Sequence, residues 1–218
     1  MKVIVPAYFY PGPIWDTLLQ SNEEVVSDVI INPDSGPGDQ INDDYTKVVR
    51  QCKKRGIGVL GYVATSYGKK RIQGAIQEID KFFRWYAVDG IFLDEAASQP
   101  EDVTYYLTLY SSIQGKVVLN HGTVPDESYT SAGDVLVIFE SDFQTHRAQE
   151  FPLWVKKSPR NKKCQIVTAC GAKQMKNALR KSAVNSGYVY ITDDVEPNPY
   201  DVLPSYWETL LKECARMK

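Results

Sequence analysis

The sequence predicts an α/β protein, a single-domain (β/α)8 TIM barrel over residues 1–218. Three observations lead there. Apolar runs rich in β-type residues alternate with segments of helical period from one end to the other. Eight strand signals occur, each followed by a crossover long enough to bring the next strand in parallel. No linker or shift in composition divides the chain, and 218 residues fit the short end of the barrel's range. An open doubly wound sheet is the second choice.

Residues 3–9 form the first β run, and 14–19 a short helix after Pro11-Gly12-Pro13. Residues 25–31 form the second strand, stopped by Asn32-Pro33 and the turn-forming stretch 34–39. A helix over 43–55 carries Val48, Val49 and Cys52 on one side and ends at Gly56. Strand three spans 57–63. The helix over 70–86 repeats Ile72, Ala75, Ile76, Ile79, Phe82 and Phe83 at helical spacing. Strand four, 90–93, follows the Asp89-Gly90 turn and ends in Asp94-Glu95.

The fourth helix, 101–113, is expected to turn Val103, Leu107 and Tyr110 inward. Strand five is 117–120, and 125–129 offers at most one helical turn. Strand six is 135–139, ending in Glu140, with a weak helix over 143–150. Strand seven is 165–169, followed by a helix over 172–184. Strand eight is 188–191, and the last helix, 204–216, holds Trp207, Leu210 and Leu211.

A net charge of −2 gives no basic excess to attract nucleic acid. No stretch approaches the roughly 20 apolar residues of a membrane span. Residues 1–6 run straight into a strand without the parts of a signal peptide, so the protein is expected in the cytoplasm, or secreted if the sequence was trimmed. Cys52, Cys164, Cys170 and Cys214 are scattered, with no Cys-x-x-Cys pair for zinc, and read as reduced core residues. No metal or cofactor is expected, and a monomer is.

A closed barrel gathers the carboxyl ends of all its strands at one face. Those ends carry Tyr8, Tyr10, Asn32, Tyr62, Thr65, Asp94, Glu95, Asn120, His121, Glu140 and Asp193. Such a rim is acidic, amide-rich and tyrosine-rich. A phosphate substrate would want Lys, Arg or a glycine cradle, and no Walker or dinucleotide motif is present. Nor is there a Gly-x-Ser-x-Gly elbow. Carboxylates flanked by aromatics fit glycoside hydrolysis, in which one acid protonates the leaving oxygen and a second carboxylate attacks or activates water. Adjacent acids in a dry setting also raise one another's pKa, which suits a general acid.

Blander readings exist for each residue. Asp94 and Glu95 could cap the next helix or pair with a Lys or Arg. Glu140 could merely begin a helix, and Asp193 could be a loop charge. His121 fits a structural or substrate-facing role better than a metal ligand.

Four blocks in order resemble one known family. They are Val5-Pro6-Ala7-Tyr8-Phe9-Tyr10-Pro11 with Trp15, Ile31-Asn32-Pro33-Asp34-Ser35-Gly36-Pro37-Gly38, Gly61-Tyr62-Val63-Ala64-Thr65-Ser66-Tyr67-Gly68, and Val88-Asp89-Gly90-Ile91-Phe92-Leu93-Asp94-Glu95. Asn120-His121-Gly122 and the Phe139-Glu140 strand end extend the likeness. Together they are similar to the spherulation-specific family 4 proteins, glycoside hydrolase family 135. The resemblance implies a (β/α)8 barrel hydrolysing α-1,4-linked polymers of galactosamine and N-acetylgalactosamine, such as galactosaminogalactan. It implies a polysaccharide or oligosaccharide as the partner, with Asp94, Glu95 and Glu140 as catalytic acids. Glu95 and Glu140 are expected to share the acid and nucleophile or base roles, with Asp94 tuning them. Tyr8, Tyr10, Asn32, Tyr62, Thr65, Asn120, His121 and Asp193 are the expected sugar contacts. Two alternatives stay open: a polygalactosaminidase of the family 114 kind, and a non-catalytic sugar-binding protein on the same barrel.

Overall fold

The computed structural model describes residues 1–217. Eight strands form one closed parallel barrel in sequence order: β1 (Lys2–Ala7), β2 (Val26–Ile31), β3 (Gly58–Ala64), β4 (Gly90–Asp94), β5 (Lys116–Asn120), β6 (Val135–Asp142), β7 (Lys163–Thr168) and β8 (Tyr188–Ile191). The ring closes where Lys2 and Val3 pair with Tyr188 and Val189. The barrel is therefore what the alternation predicted, and the open sheet is excluded.

Outside it pack α1 (Pro13–Leu19), α2 (Asp43–Lys54), α3 (Ile72–Tyr86), α4 (Val103–Ser112), α5 (Phe143–Ala148), α6 (Leu153–Lys157), α7 (Ala172–Asn185) and α8 (Trp207–Arg216). Local chemistry starts several of them. Asn42 accepts the amides of Asp44 and Tyr45 to begin α2, and Asp142 accepts those of Gln144 and Thr145 to begin α5. The β5–β6 crossover has only a 3-10 turn, Glu127–Ser131, as the single helical turn expected there. The weak helix over 143–150 is α5, and a second short helix that the sequence reading did not expect, α6, follows after Pro152.

The strands are apolar on both faces because the interior is filled and the helices cover the outside. α2 buries Val48, Val49 and Cys52 as its spacing required. α4 corrects the sequence reading: Tyr106 and Leu109 are buried, while Leu107 is 38% exposed. Apolar residues occur all round this short helix, so period alone did not choose its inner face. α3 sits unusually close to β3. A Cβ on Gly61 would lie 2.4–2.8 Å from atoms of the Phe82 ring. All four cysteines are buried and unpaired.

At the amino end of the barrel, the Lys116 ammonium lies 2.6 Å from Asp28 and 4.5 Å from the centre of the Tyr188 ring. At the opposite end, β6 carries one more residue than β7 between the Val137–Cys164 and Phe139–Gln165 pairs. A bulge of this kind bends a strand and re-aims the side chains beyond it. Glu140 comes next.

Candidate active site

The strand ends converge on a cavity of about 770 Å³ at the carboxyl face, within the range of small-molecule sites. Tyr8 from the end of β1, Tyr62 from β3 and Glu140 from β6 line it, with Asn32 just past β2. Asp94, the last residue of β4, lies beside Glu140. Between them is Asn120, the last residue of β5. Its side-chain amide donates at 2.7 Å to Asp94 Oδ1 and at 2.6 Å to Glu140 Oε2. One nitrogen thus holds two carboxylates within two hydrogen-bond lengths of each other. Among the described residues neither they nor Glu95 is paired with a Lys or Arg, and the next α-helix begins only at Val103. The capping and ion-pair readings of Asp94-Glu95 are thereby excluded.

Burial pushes the Glu140 carboxyl up, and the charges of Asp94 and Glu196 push it further. Hydrogen bonds from Tyr200 and Asn120 oppose that rise. Three phenols surround these acids: Tyr8 meets Tyr62 and Tyr200 edge to face, with ring centres 5.6 and 5.5 Å apart. Burial and then the Asp94 charge hold Tyr8 and Tyr62 well above the ordinary tyrosine value. Burial and then Glu140 do the same for Tyr200. All three therefore stay neutral and serve as hydroxyl donors.

The structure does not bring every predicted residue to the cavity. Tyr10 is 59% exposed and turns away, its hydroxyl donating to Asp44 and its ring packing on Tyr45. It lies past the end of β1, where the chain has left the strand, so alternation no longer directs it inward. Thr65 is fully buried and its hydroxyl is used by backbone carbonyls. His121 is buried against Tyr129, donates from Nδ1 to the Ala97 carbonyl and is held down to about 4 by burial, which leaves it neutral. Asp193 binds the hydroxyl and amide of Ser205, fixing the loop before α8. Neither Glu95 nor Asp94 nor Asn120 lines the cavity itself; Asp94 and Asn120 join the hydrogen-bonded group at Glu140, and Glu95 does not, its charge bearing on the Tyr62 phenol.

Sequence reasoning missed Tyr200. Its hydroxyl donates to Glu140 Oε1, and its carbonyl accepts the Tyr8 amide at 3.3 Å. It arrives on the 192–206 connection, which also brings Glu196 and Asn198 to the cavity wall. The signal was present, since Pro197-Asn198-Pro199 precludes a helix after β8 and ends in an aromatic. Looking only at strand ends passed over it. Among the described residues no group of three or more His, Cys, Asp or Glu is arranged to hold a metal ion.

A profile described as spherulation-specific family 4 matches residues 2–214. This chain belongs to spherulation-specific family 4. A relative, spherulin-4 of Physarum polycephalum, is 32% identical over 225 residues, covering 94% of this chain and 68% of that protein. The Aspergillus clavatus protein Sph3, solved in complex with GalNAc, superposes on this family-4 chain with a TM-score of 0.88. The match has 26% identity and spans 98% of this chain and 97% of Sph3. The fold alone is shared with the maltogenic α-amylase AmyB of Thermotoga neapolitana, at TM-score 0.63 and 11% identity over 99% of this chain and 76% of that one.

Proposed function

We propose that this family-4 protein is a glycoside hydrolase, acting within α-1,4-linked chains of galactosamine and N-acetylgalactosamine. The observation that carries the reading is that Glu140, at the wall of a tyrosine-lined cavity, shares one Asn120 amide with Asp94. The likeness to Sph3, which was solved with GalNAc, supports the choice of sugar.

In this scheme Glu140 is the general acid, because burial favours its protonated form. It gives its proton to the glycosidic oxygen as the bond from that oxygen to the anomeric carbon breaks. Asp94, held by the Asn120 amide, attacks the anomeric carbon and forms the glycosyl ester. Water then attacks that carbon, the ester bond to Asp94 breaks, and Glu140 takes the water's proton. The shared Asn120 nitrogen, 2.7 Å from one carboxylate oxygen and 2.6 Å from the other, favours the short spacing of retaining enzymes, roughly 5–5.5 Å, over the wider inverting one. Asp94 thus replaces Glu95 as the partner of Glu140. Tyr8 and Tyr62 offer edges and hydroxyls to a sugar ring, and Tyr200 steadies Glu140.

The test is digestion of an N-acetylgalactosamine polymer, read by reducing ends and by mass spectrometry of the products. Release of oligosaccharides is expected, with turnover falling by at least about 100-fold in Asp94→Asn and Glu140→Gln. Binding without cleavage by the wild type would overturn the reading in favour of a sugar-binding protein. Full activity in either variant would remove that residue from the scheme.

A further inference from the structure

The carboxylates at the end of β4 leave their strand through an uncommon backbone conformation. Glu95 has φ +48, the left-handed region that non-glycine residues rarely occupy. In the neighbouring β3–α3 connection Ser66, Tyr67 and Gly68 are left-handed in succession, at φ +50, +55 and +77. The two bends are tied together. Thr65 donates its amide to the Asp94 carbonyl at 2.9 Å, and Tyr67 donates its amide to the Glu95 carbonyl at 2.7 Å. Strained residues of this kind persist only where their surroundings over-determine them, and they gather at functional sites.

Beside these backbone bonds stand two buried hydroxyls. Thr65 Oγ1 lies 2.9 Å from the Asp94 carbonyl, 2.8 Å from the Glu95 carbonyl and 2.9 Å from the Tyr106 hydroxyl. Carbonyl oxygens only accept, so the single Thr65 proton must serve them. The Tyr106 proton must then point at Thr65. Tyr106, in turn, accepts the Ala97 amide at 2.8 Å. Both residues are fully buried, and neither lines the cavity. The hydrogen-bond directions are thereby fixed along the whole chain, from α4 through Thr65 to the two carbonyls and back to Ala97.

We infer that Thr65 and Tyr106 are positioning residues: their hydroxyl relay holds Glu95 left-handed and so sets where the Asp94 and Glu95 carboxylates point. This rests on the hydrolase reading above for its catalytic consequence, and on the hydrogen bonds alone for its structural one. Thr65 looked like a sugar contact in the sequence; here it serves the site from behind. A displacement of about 1 Å at a reacting group costs on the order of 100-fold in rate.

The experiment uses the full chain with Thr65→Val and Tyr106→Phe, which keep side-chain volume nearly unchanged, and Thr65→Ser, which keeps the hydroxyl and loses one buried methyl. Thermal melts and crystal structures are taken for each, with kcat and KM on an α-1,4-linked N-acetylgalactosamine oligosaccharide. Expected are Thr65→Val and Tyr106→Phe chains that fold, with kcat down about 10- to 100-fold and KM within about twofold. Thr65→Ser, which restores the hydroxyl, should recover most of kcat, and Glu95 should leave the left-handed region in the Val variant. Unchanged kcat in folded Thr65→Val and Tyr106→Phe, or no recovery with Ser, overturns the inference. So does a Val variant in which Glu95 and both carboxylates stay where they are. Should Thr65→Val fail to fold, Tyr106→Phe carries the same comparison. A wild type without hydrolytic activity defeats the proposed function, and the crystal structures alone then decide the positioning.

Discussion

Replacing Tyr200 by Phe removes one hydroxyl and little else, and it interrogates the proton on Glu140. The phenol donates to Glu140 Oε1, opposite the Asn120 amide on Oε2. Both bonds favour the carboxylate, against the burial that favours the acid. A hydrogen bond to an ionised group contributes about 1.5–3 kcal/mol. Every 1.4 kcal/mol or so is tenfold in a proton equilibrium. Losing the bond therefore tips Glu140 toward its acid form by about 10- to 100-fold. If Glu140 must be protonated to act, the basic limb of the pH profile of kcat/KM moves upward, by roughly one pH unit or more. If Glu140 must instead be ionised, the acidic limb moves upward and the optimum narrows. The assay is release of reducing ends from an N-acetylgalactosamine oligosaccharide between about pH 3 and 9, for wild type and Tyr200→Phe. A basic limb that stays in place or moves downward refutes the assignment of Glu140 as the acid.

Stability offers three further checks. The folded value of Glu140 lies above its unfolded one, so its contribution is fully present below the unfolded value and lost as pH rises through the folded value. Glu140→Gln, which never ionises, should gain on the wild type in urea melts at about pH 8 and gain less at about pH 4; an equal difference at both would count against the burial argument. Lys116→Met strands the buried Asp28 carboxylate without its cation, a change of about 3–5 kcal/mol against folding, whereas adding Asp28→Asn should restore much of it; chemical denaturation of the single and double variants decides. Gly61→Ala drives a methyl into the Phe82 ring and should cost about 1–3 kcal/mol, or roughly 2–12 °C of melting temperature; an unchanged melt would mean that α3 shifts freely.

Much of the barrel was readable because its signals are local. Val48, Val49 and Cys52 keep helical spacing, and Ile91, Phe92 and Leu93 form a short apolar run after the Asp89-Gly90 turn, as a strand buried on both faces does. Where pattern was weak, it misled. α4 is apolar on too many sides for period to choose Tyr106 and Leu109 over Leu107. At the site, the strands bring Tyr62 and Glu140 to the cavity and set Asp94 and Asn120 beside Glu140. Tyr8 and Asn32, one residue past β1 and β2, line the cavity, whereas Tyr10, further past β1, turns away. Once the chain leaves the strand, alternation no longer fixes direction, and a partner such as Asp44 decides it.

The order of apolar runs and helical segments determined that strands would be parallel and that their carboxyl ends would share one rim, since each crossover must return the chain to the same starting end. Which rim residues touch was decided only in three dimensions. The bulge before Glu140, the left-handed turn at Glu95 and the 192–206 connection that brings Tyr200 over the acids are matters of angle and approach. Hydrogen bonds between residues such as Asp94, Asn120, Glu140 and Tyr200 depend on tenths of an ångström across separate strands and loops. No spacing along the chain encodes distances of that kind.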